Sequence, residues 1–186
     1  MTVSTIQPTN QERTFDEDEI IVSKTDLDGR ITYANDVFLK VASYEESEVL
    51  GKQHNIVRHP DMPRSVFKLL WETIASGSEI FAYVKNMAKN GDHYWVFAHV
   101  TPSFDRSGNI IGYHSNRRVP GRAAIEAIEP LYRQLSEAEN RHQSAKDGLD
   151  AGYNLLLQTL EVQGVDYDAF VFSLWALDEA PIIQKG

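Results

Sequence analysis

The sequence predicts an α+β fold: a five-stranded antiparallel sheet with short helices on one face, followed by a helical extension. Three observations carry this reading. Short runs of β-branched and aromatic residues cluster at both ends of a region spanning 19–120, and helical spacing fills the stretch between them. After Pro120-Gly121 the pattern becomes helical throughout. Strand pairs at both ends with the helices segregated between them describe one antiparallel sheet rather than alternating β-α units.

The elements follow in order. Residues 1–18 are polar and aperiodic and read as a loose arm. Ile20 to Thr25 and Arg30 to Ala34 flank an Asp26-Leu-Asp-Gly29 turn and predict a β-hairpin. Asn35 is a good N-cap for a helix that places Val37, Phe38 and Val41 on one face. Tyr44 to Leu50 predicts a further short helix ended by Gly51, and residues 52–61 an irregular connector. Met62 to Ala75 is helical, with Val66, Leu69, Leu70 and Thr73 on one side. Glu79 to Asn86, His93 to Thr101 and Ile110 to Arg118 form a three-stranded meander, its first turn containing Asn90-Gly91. The extension, 121–186, carries apolar residues at helical spacing from Ile125 to Leu160. Gly148 and Gly152 predict a break near them, and Asp166 or Asp168 caps a last helix running through Leu177.

Composition narrows the function. Of the 186 residues, 42% are hydrophobic and 24% charged, which is globular. The net charge is −9, and acids outnumber bases most in residues 1–20 and 121–186, whereas the middle is nearly neutral. A nucleic-acid binder would show a basic face instead. There is no cysteine, hence no disulfide, thiolate metal site or cysteine-linked flavin. No signal peptide or transmembrane segment is read, since the longest apolar run, Phe170 to Leu177, is short and flanked by acids. A cytoplasmic protein is expected.

The connector holds the chemistry. His54-Asn55-Ile-Val-Arg58-His59-Pro60-Asp61-Met-Pro63 packs two imidazoles, a guanidinium and a carboxylate into a few positions stiffened by two prolines. Arginine offers a planar fork for phosphate or carboxylate, and histidine can donate or accept at a ring nitrogen. Asp61 can also serve simply as the cap of the following helix, but capping explains none of the others.

That string, with Val84-Lys-Asn86, Lys89-Asn-Gly-Asp-His-Tyr-Trp95 and Ile128-Glu-Pro-Leu-Tyr132, resembles the sensory PAS domain of bacterial aerotaxis receptors. The resemblance runs from about Thr25 to Arg118. It implies a PAS fold over 19–120 and a noncovalently bound FAD whose redox state is relayed to the chemotaxis machinery. Carried over by position, the flavin-binding residues are His54, Asn55, Arg58, His59 and Asp61 in the connector, Trp71 on the next helix, and Asn86 on the strand. The output would pass through the C-terminal helices to a homodimer, a chemoreceptor or another signalling protein. Two departures stand out. Ile80 occupies a position where those receptors carry a Trp near the flavin, and the membrane anchor and methyl-accepting signalling domain of the receptors are not seen.

Other readings stay open. His93, Trp95, Phe97 and His99 alternate onto one sheet face, but no third metal ligand stands at a convincing spacing. A haem-based gas sensor would use His54 or His59 as ligand. A cofactor-free PAS module would act in dimerisation or scaffolding. An enzyme is not expected, because no acid–base pair, nucleophile elbow or phosphate loop is present. The apolar segment Phe170–Leu177 either packs onto the chain's own helices and sheet or forms a partner surface.

Overall fold

The computed structural model describes residues 6–179; residues 1–5 of the arm and 180–186 of the extension lie outside the described residues. Five antiparallel strands form one sheet: β1 (Ile21–Thr25), β2 (Ile31–Ala34), β3 (Ile80–Met87), β4 (His93–Phe104) and β5 (Ile110–Arg118). Their spatial order is β2-β1-β5-β4-β3, so the first hairpin docks beside the last strand. Between the hairpin and the meander lie α1 (Asp36–Ala42), α2 (Glu46–Val49), a single 3-10 turn (His54–Val57) and α3 (Arg64–Ala75). The extension comprises α4 (Arg122–Asn140), α5 (Ala145–Gln163) and α6 (Tyr167–Glu179).

Register assigns the two faces, because residues directly opposite in an antiparallel pair share a face. Ser23 pairs with Ser115, Ser115 with Val100, and Ile80 with Val100, so these residues share the inner face with Ala82, Val84, Asn86, Ala98 and Arg117. Helices α1 and α3 and the connector pack over this face around the buried side chains of Phe38, Met62, Val66 and Ile74. Asn35 is the expected cap: its Oδ1 accepts from Phe38 N and Val22 N, both at 3.0 Å, and its Nδ2 donates to Ile20 O.

The outer face of β3 and β4 is covered too, by the extension. Tyr132 of α4 stacks on Trp95 and donates its hydroxyl to Tyr83 O at 2.7 Å. Phe172 and Trp175 of α6 lie against Phe81 and Phe97, with centroids 4.9 and 4.7 Å apart. The apolar segment of α6 is thus largely an intramolecular seam, and each large side chain it fully buries contributes about 1.5–3 kcal/mol. Phe172 and Leu177 keep nearly half their surface exposed.

Three local expectations are corrected. The arm is not loose from Thr9 onward. Its Thr9 N donates to Gly91 O, Arg13 N donates to His93 O, and Arg13 Nε pairs with Asp92 at 2.9 Å. Gly91, at φ +94°, is required there, because a Cβ would lie 2.2 Å from Gln7 O. Asp61 does not cap α3, which begins after Pro63 and draws its acceptor from elsewhere in the chain. The break in the extension falls at Arg141–Ser144, and Gly148 and Gly152 lie inside α5. Asp166 does cap α6, accepting from Ala169 N at 2.7 Å.

Candidate functional site

A cavity of about 420 Å³ lies between the inner sheet face and the connector–α3 layer. That volume falls in the range of roughly 300–1,000 Å³ typical of small-molecule sites. One wall is apolar, made by Leu70, Trp71 and Ile74 of α3 and Val84, Ala98 and Val100 of the sheet. Amphipathic spacing delivers the α3 residues, and strand alternation delivers the sheet residues. Trp71 meets Tyr113 edge-on at 5.5 Å and closes one side. Gly29, at φ +77°, ends the Asp-rich turn beneath it, where a Cβ would lie 2.9 Å from the indole.

The opposite end is polar and positively charged. Arg117 is buried, and its Nη2 donates to Ser23 Oγ and His54 Nε2, both at 2.8 Å. Since arginine only donates, His54 Nε2 must accept, which places the imidazole proton on Nδ1. Burial, with Arg117 adding to it, pushes the His54 pKa down to about 3, so the ring is neutral. Burial likewise pushes Arg117 down to about 10, leaving it charged at neutral pH. No carboxylate pairs with it among the described residues, and its Nη1 has no partner. Thr25 Oγ1 and Ser115 Oγ, on residues that also line the cavity, are buried without partners. Such groups cost stability unless something in the cavity satisfies them.

Arg58 supplies a second cation. Its guanidinium donates to Met62 O at 2.7 Å and lies 4.9 Å from the Phe67 ring centre. A backbone bridge from Arg58 to Asn86 ties the connector to β3. Burial lowers its pKa, but it remains a cation. Asn86 is 5% exposed, and its side chain makes no hydrogen bond among the described residues, so its amide is available to the cavity it lines. Asp28 is the single carboxylate among the lining residues.

The expected site residues therefore divide. His54, Asn55, Arg58, Trp71 and Asn86 line the cavity. His59 and Asp61 do not. His59 is 1% exposed, accepts from Asp61 N through Nδ1 at 3.1 Å, and meets His93 edge-on at 5.8 Å. Asp61 pairs with Lys85 at 2.8 Å on the outer side of the sheet, beneath α4. The chain turns over between Arg58 and His59, so adjacent residues serve opposite sides of the sheet edge. Ile80 sits on the inner face but further along β3, and is not among the lining residues; Phe81 beside it faces outward, onto His99.

Ser23, Thr25, Tyr113, Ser115 and Arg117 were not singled out by the sequence. The available signal was on β5, where a polar or cationic residue recurs at alternate positions of a strand whose inner face should be apolar. Neither a metal-binding cluster of three or more His, Asp or Glu nor a helix long and apolar enough to cross a membrane occurs among the described residues.

Comparisons with known proteins agree with this fold. Residues 31–117 match the PAS fold family. The aerotaxis receptor of Escherichia coli is 44% identical over 128 residues, which are 69% of this chain and 25% of that protein. Phototropin-2 of Oryza sativa is 29% identical over 119 residues, 64% of this chain and 13% of its own. The chain thus spans a quarter or less of the length of these relatives. The light-state structure of the Aureochrome1 LOV photoreceptor shares the fold with a TM-score of 0.51 at 24% identity, covering 66% of this chain and 91% of that one. The relatives are named as receptors and photoreceptors. The chain carries a PAS domain, and in that domain it belongs to the family of the aerotaxis receptor.

Proposed function

We propose that the protein is a PAS redox or oxygen sensor that holds FAD noncovalently in the cavity and relays the cofactor's redox state through its C-terminal helices. The observation that carries the reading is the polar end of the cavity. Arg117 is a buried cation without a carboxylate among the described residues, and the cavity it lines also receives Asn86 and the unpartnered hydroxyls of Thr25 and Ser115. A ligand with an apolar planar body and an electron-rich, hydrogen-bonding edge satisfies both ends of such a site.

When bound, FAD supplies reversible electron transfer at its ring, and the protein sets the potential by the charges and hydrogen bonds around it. The residues of the chain have distinct tasks. Leu70, Ile74, Val84 and Val100 exclude water, and Trp71 provides an aromatic wall. Asn86 donates and accepts at one amide. Arg117 presents a fixed positive charge that favours any increase of negative charge on the ligand. Arg58 and Asn55 suit the more polar part of the ligand. Ser23 and His54 hold Arg117 in place, so a change at the ligand edge reaches three residues on two strands and the connector. Arg117 stands five residues before Arg122, where α4 begins, which gives the site a short route to the extension. From there the signal passes to a second copy, a chemoreceptor or another signalling protein.

The haem alternative gains less from the geometry. His54 Nε2 is already committed to Arg117, and His59 lies outside the cavity.

The test is the absorption spectrum of the purified protein before and after dithionite. Two visible flavin bands that bleach on reduction, with FAD released by denaturation, are expected. A Soret band would replace the reading with haem. A colourless protein that takes up no added FAD would leave a cofactor-free interaction module.

A further inference from the structure

Glu139, near the end of α4, is 4% exposed yet lines neither the cavity nor the sheet seam. Its carboxylate accepts from Arg64 N at 3.0 Å and Ser65 N at 2.8 Å, and pairs with Arg64 Nε at 3.0 Å. Those amides open α3, whose N-terminal flank is Pro63, a residue with no side-chain acceptor. The cap of α3 therefore comes from a residue 74 positions away.

Helix α5 closes the arrangement. A Cβ on Gly148 would lie 2.3 Å from Glu139 O, and one on Gly152 would lie 2.6 Å from Glu139 Cγ. Only glycines at these two positions, one helical turn apart, let α5 press against the carboxylate and keep water from it. One side chain thus joins α3, α4 and α5, and α3 is the helix that presents Phe67, Leu70, Trp71 and Ile74 to the cavity.

We infer that Glu139 is a positioning residue that couples the cavity to the extension, holding α3 closed over the cavity only while α4 and α5 are docked. The arrangement has two discrete states. Either the carboxylate sits on both amides in a dry seat, or it withdraws, and the amides and the carboxylate are hydrated together. A ligand that packs against α3 favours the first state and so tightens α5, which does not touch the ligand. By linkage, an undocked extension weakens the ligand by the same factor. The coupling to a ligand rests on the flavin reading above, whereas the joint between α3 and α5 does not.

The experiment is hydrogen exchange on the full chain, first without ligand. Glu139→Ala should speed exchange at Arg64, Ser65 and across 145–163 by roughly tenfold or more, the scale of a lost helix cap with buried donors left behind. Glu139→Gln keeps the shape but turns a donor toward a donor, and should act in the same sense. Gly152→Ala, made in α5, should speed exchange at Arg64 and Ser65. If Glu139→Gln and Gly152→Ala fold and each changes only its own helix, the joint is refuted. In a second arm FAD is the probe. It should slow exchange across 145–163 in the native chain and lose that effect in Glu139→Gln, whose affinity for FAD should fall by the same factor. Equal protection in both proteins would overturn the coupling. If FAD fails to bind the native chain, the flavin reading falls, and the ligand-free arm still decides the joint.

Discussion

The connector runs two different clusters from one stretch of sequence. Its first half turns His54 and Arg58 into the cavity, where Arg117 Nη1 and the hydroxyls of Thr25 and Ser115 are left with unused hydrogen-bonding capacity. Its second half turns His59 and Asp61 outward, where Asp61 is paired with Lys85 and its carbonyl accepts from Ser136 of α4 at 3.1 Å. The first half is built as an incomplete set waiting for a partner. The second half pairs Asp61 within the chain and fastens the domain to its extension, although His59 Nε2 is buried there without a partner. Residue type alone does not separate these roles, since each half contributes one histidine and one charged group; the direction of the side chain does.

Acid offers the largest effect and probes both halves at once. Burial, with Arg117 second, lowers the folded pKa of His54 to about 3, and burial lowers His59 and His93 as well. An unfolded histidine titrates near 6.5, so between that value and the folded one the unfolded chain binds the proton and the folded chain does not. Stability is therefore full above pH 6.5 and is lost as pH falls below it. Each such histidine contributes up to about 1.4 kcal/mol per pH unit. Denaturant unfolding between pH 6.5 and 4.5 should show this loss before the carboxylates contribute, and His54→Gln should flatten the slope. An unchanged slope in that variant would assign the acid sensitivity to the His59 half.

Replacing the central cation sharpens the contrast further. Arg117→Met removes a buried charge that has no carboxylate partner, so the ligand-free protein should be as stable as the native one or more so. Its affinity for FAD should nevertheless fall by about 2–4 kcal/mol, roughly 30- to 1,000-fold. Titration with FAD and thermal unfolding of the same sample measure the two changes, and a parallel fall of both would make Arg117 structural. Asn86→Ala removes a neutral donor and acceptor and should weaken FAD about tenfold, in line with the loss of a hydrogen bond or two. Its ligand-free stability should stay within about 1 kcal/mol of the native value.

Much of this was legible in the sequence, for reasons that can be named. Strand alternation and the Asp-Gly and Asn-Gly turns located all five strands, because period and turn chemistry are local properties. His54, Asn55, Arg58 and Asn86 were legible because they fall in rare strings, and Trp71 because the same resemblance carries it over by position on the next helix. The turnover after Arg58 was not, since it depends on Asp61 meeting Lys85 across the sheet edge. Arg117 was hidden among strand residues, and its partners lie 63 and 94 positions away. Gly148 and Gly152 were visible but were assigned to a helix break. Their cause, the buried carboxylate of Glu139, comes from another helix and leaves no local trace.

The smallest effect decides whether the two halves are truly separate. Asp61→Ala removes one partner of Lys85, whose side chain is 10% exposed, but Glu129 waits 3.9 Å away to take part of the charge. The Asp61 side chain itself is 63% exposed, so the pair sits close to water and is worth about 1 kcal/mol at most. The loss should appear as a slightly lower denaturation midpoint and faster exchange where Ser136 meets the connector. FAD affinity should stay within about twofold, because no atom of the Asp61 pair reaches the cavity and a change under 0.5 kcal/mol is the ordinary result at such a site. Arg58→Ala, three positions earlier, should weaken FAD while leaving the α4 contact intact. If Asp61→Ala instead weakens FAD as strongly as Arg58→Ala, the connector moves as one body, and the cavity is shaped from its outer side as much as from within.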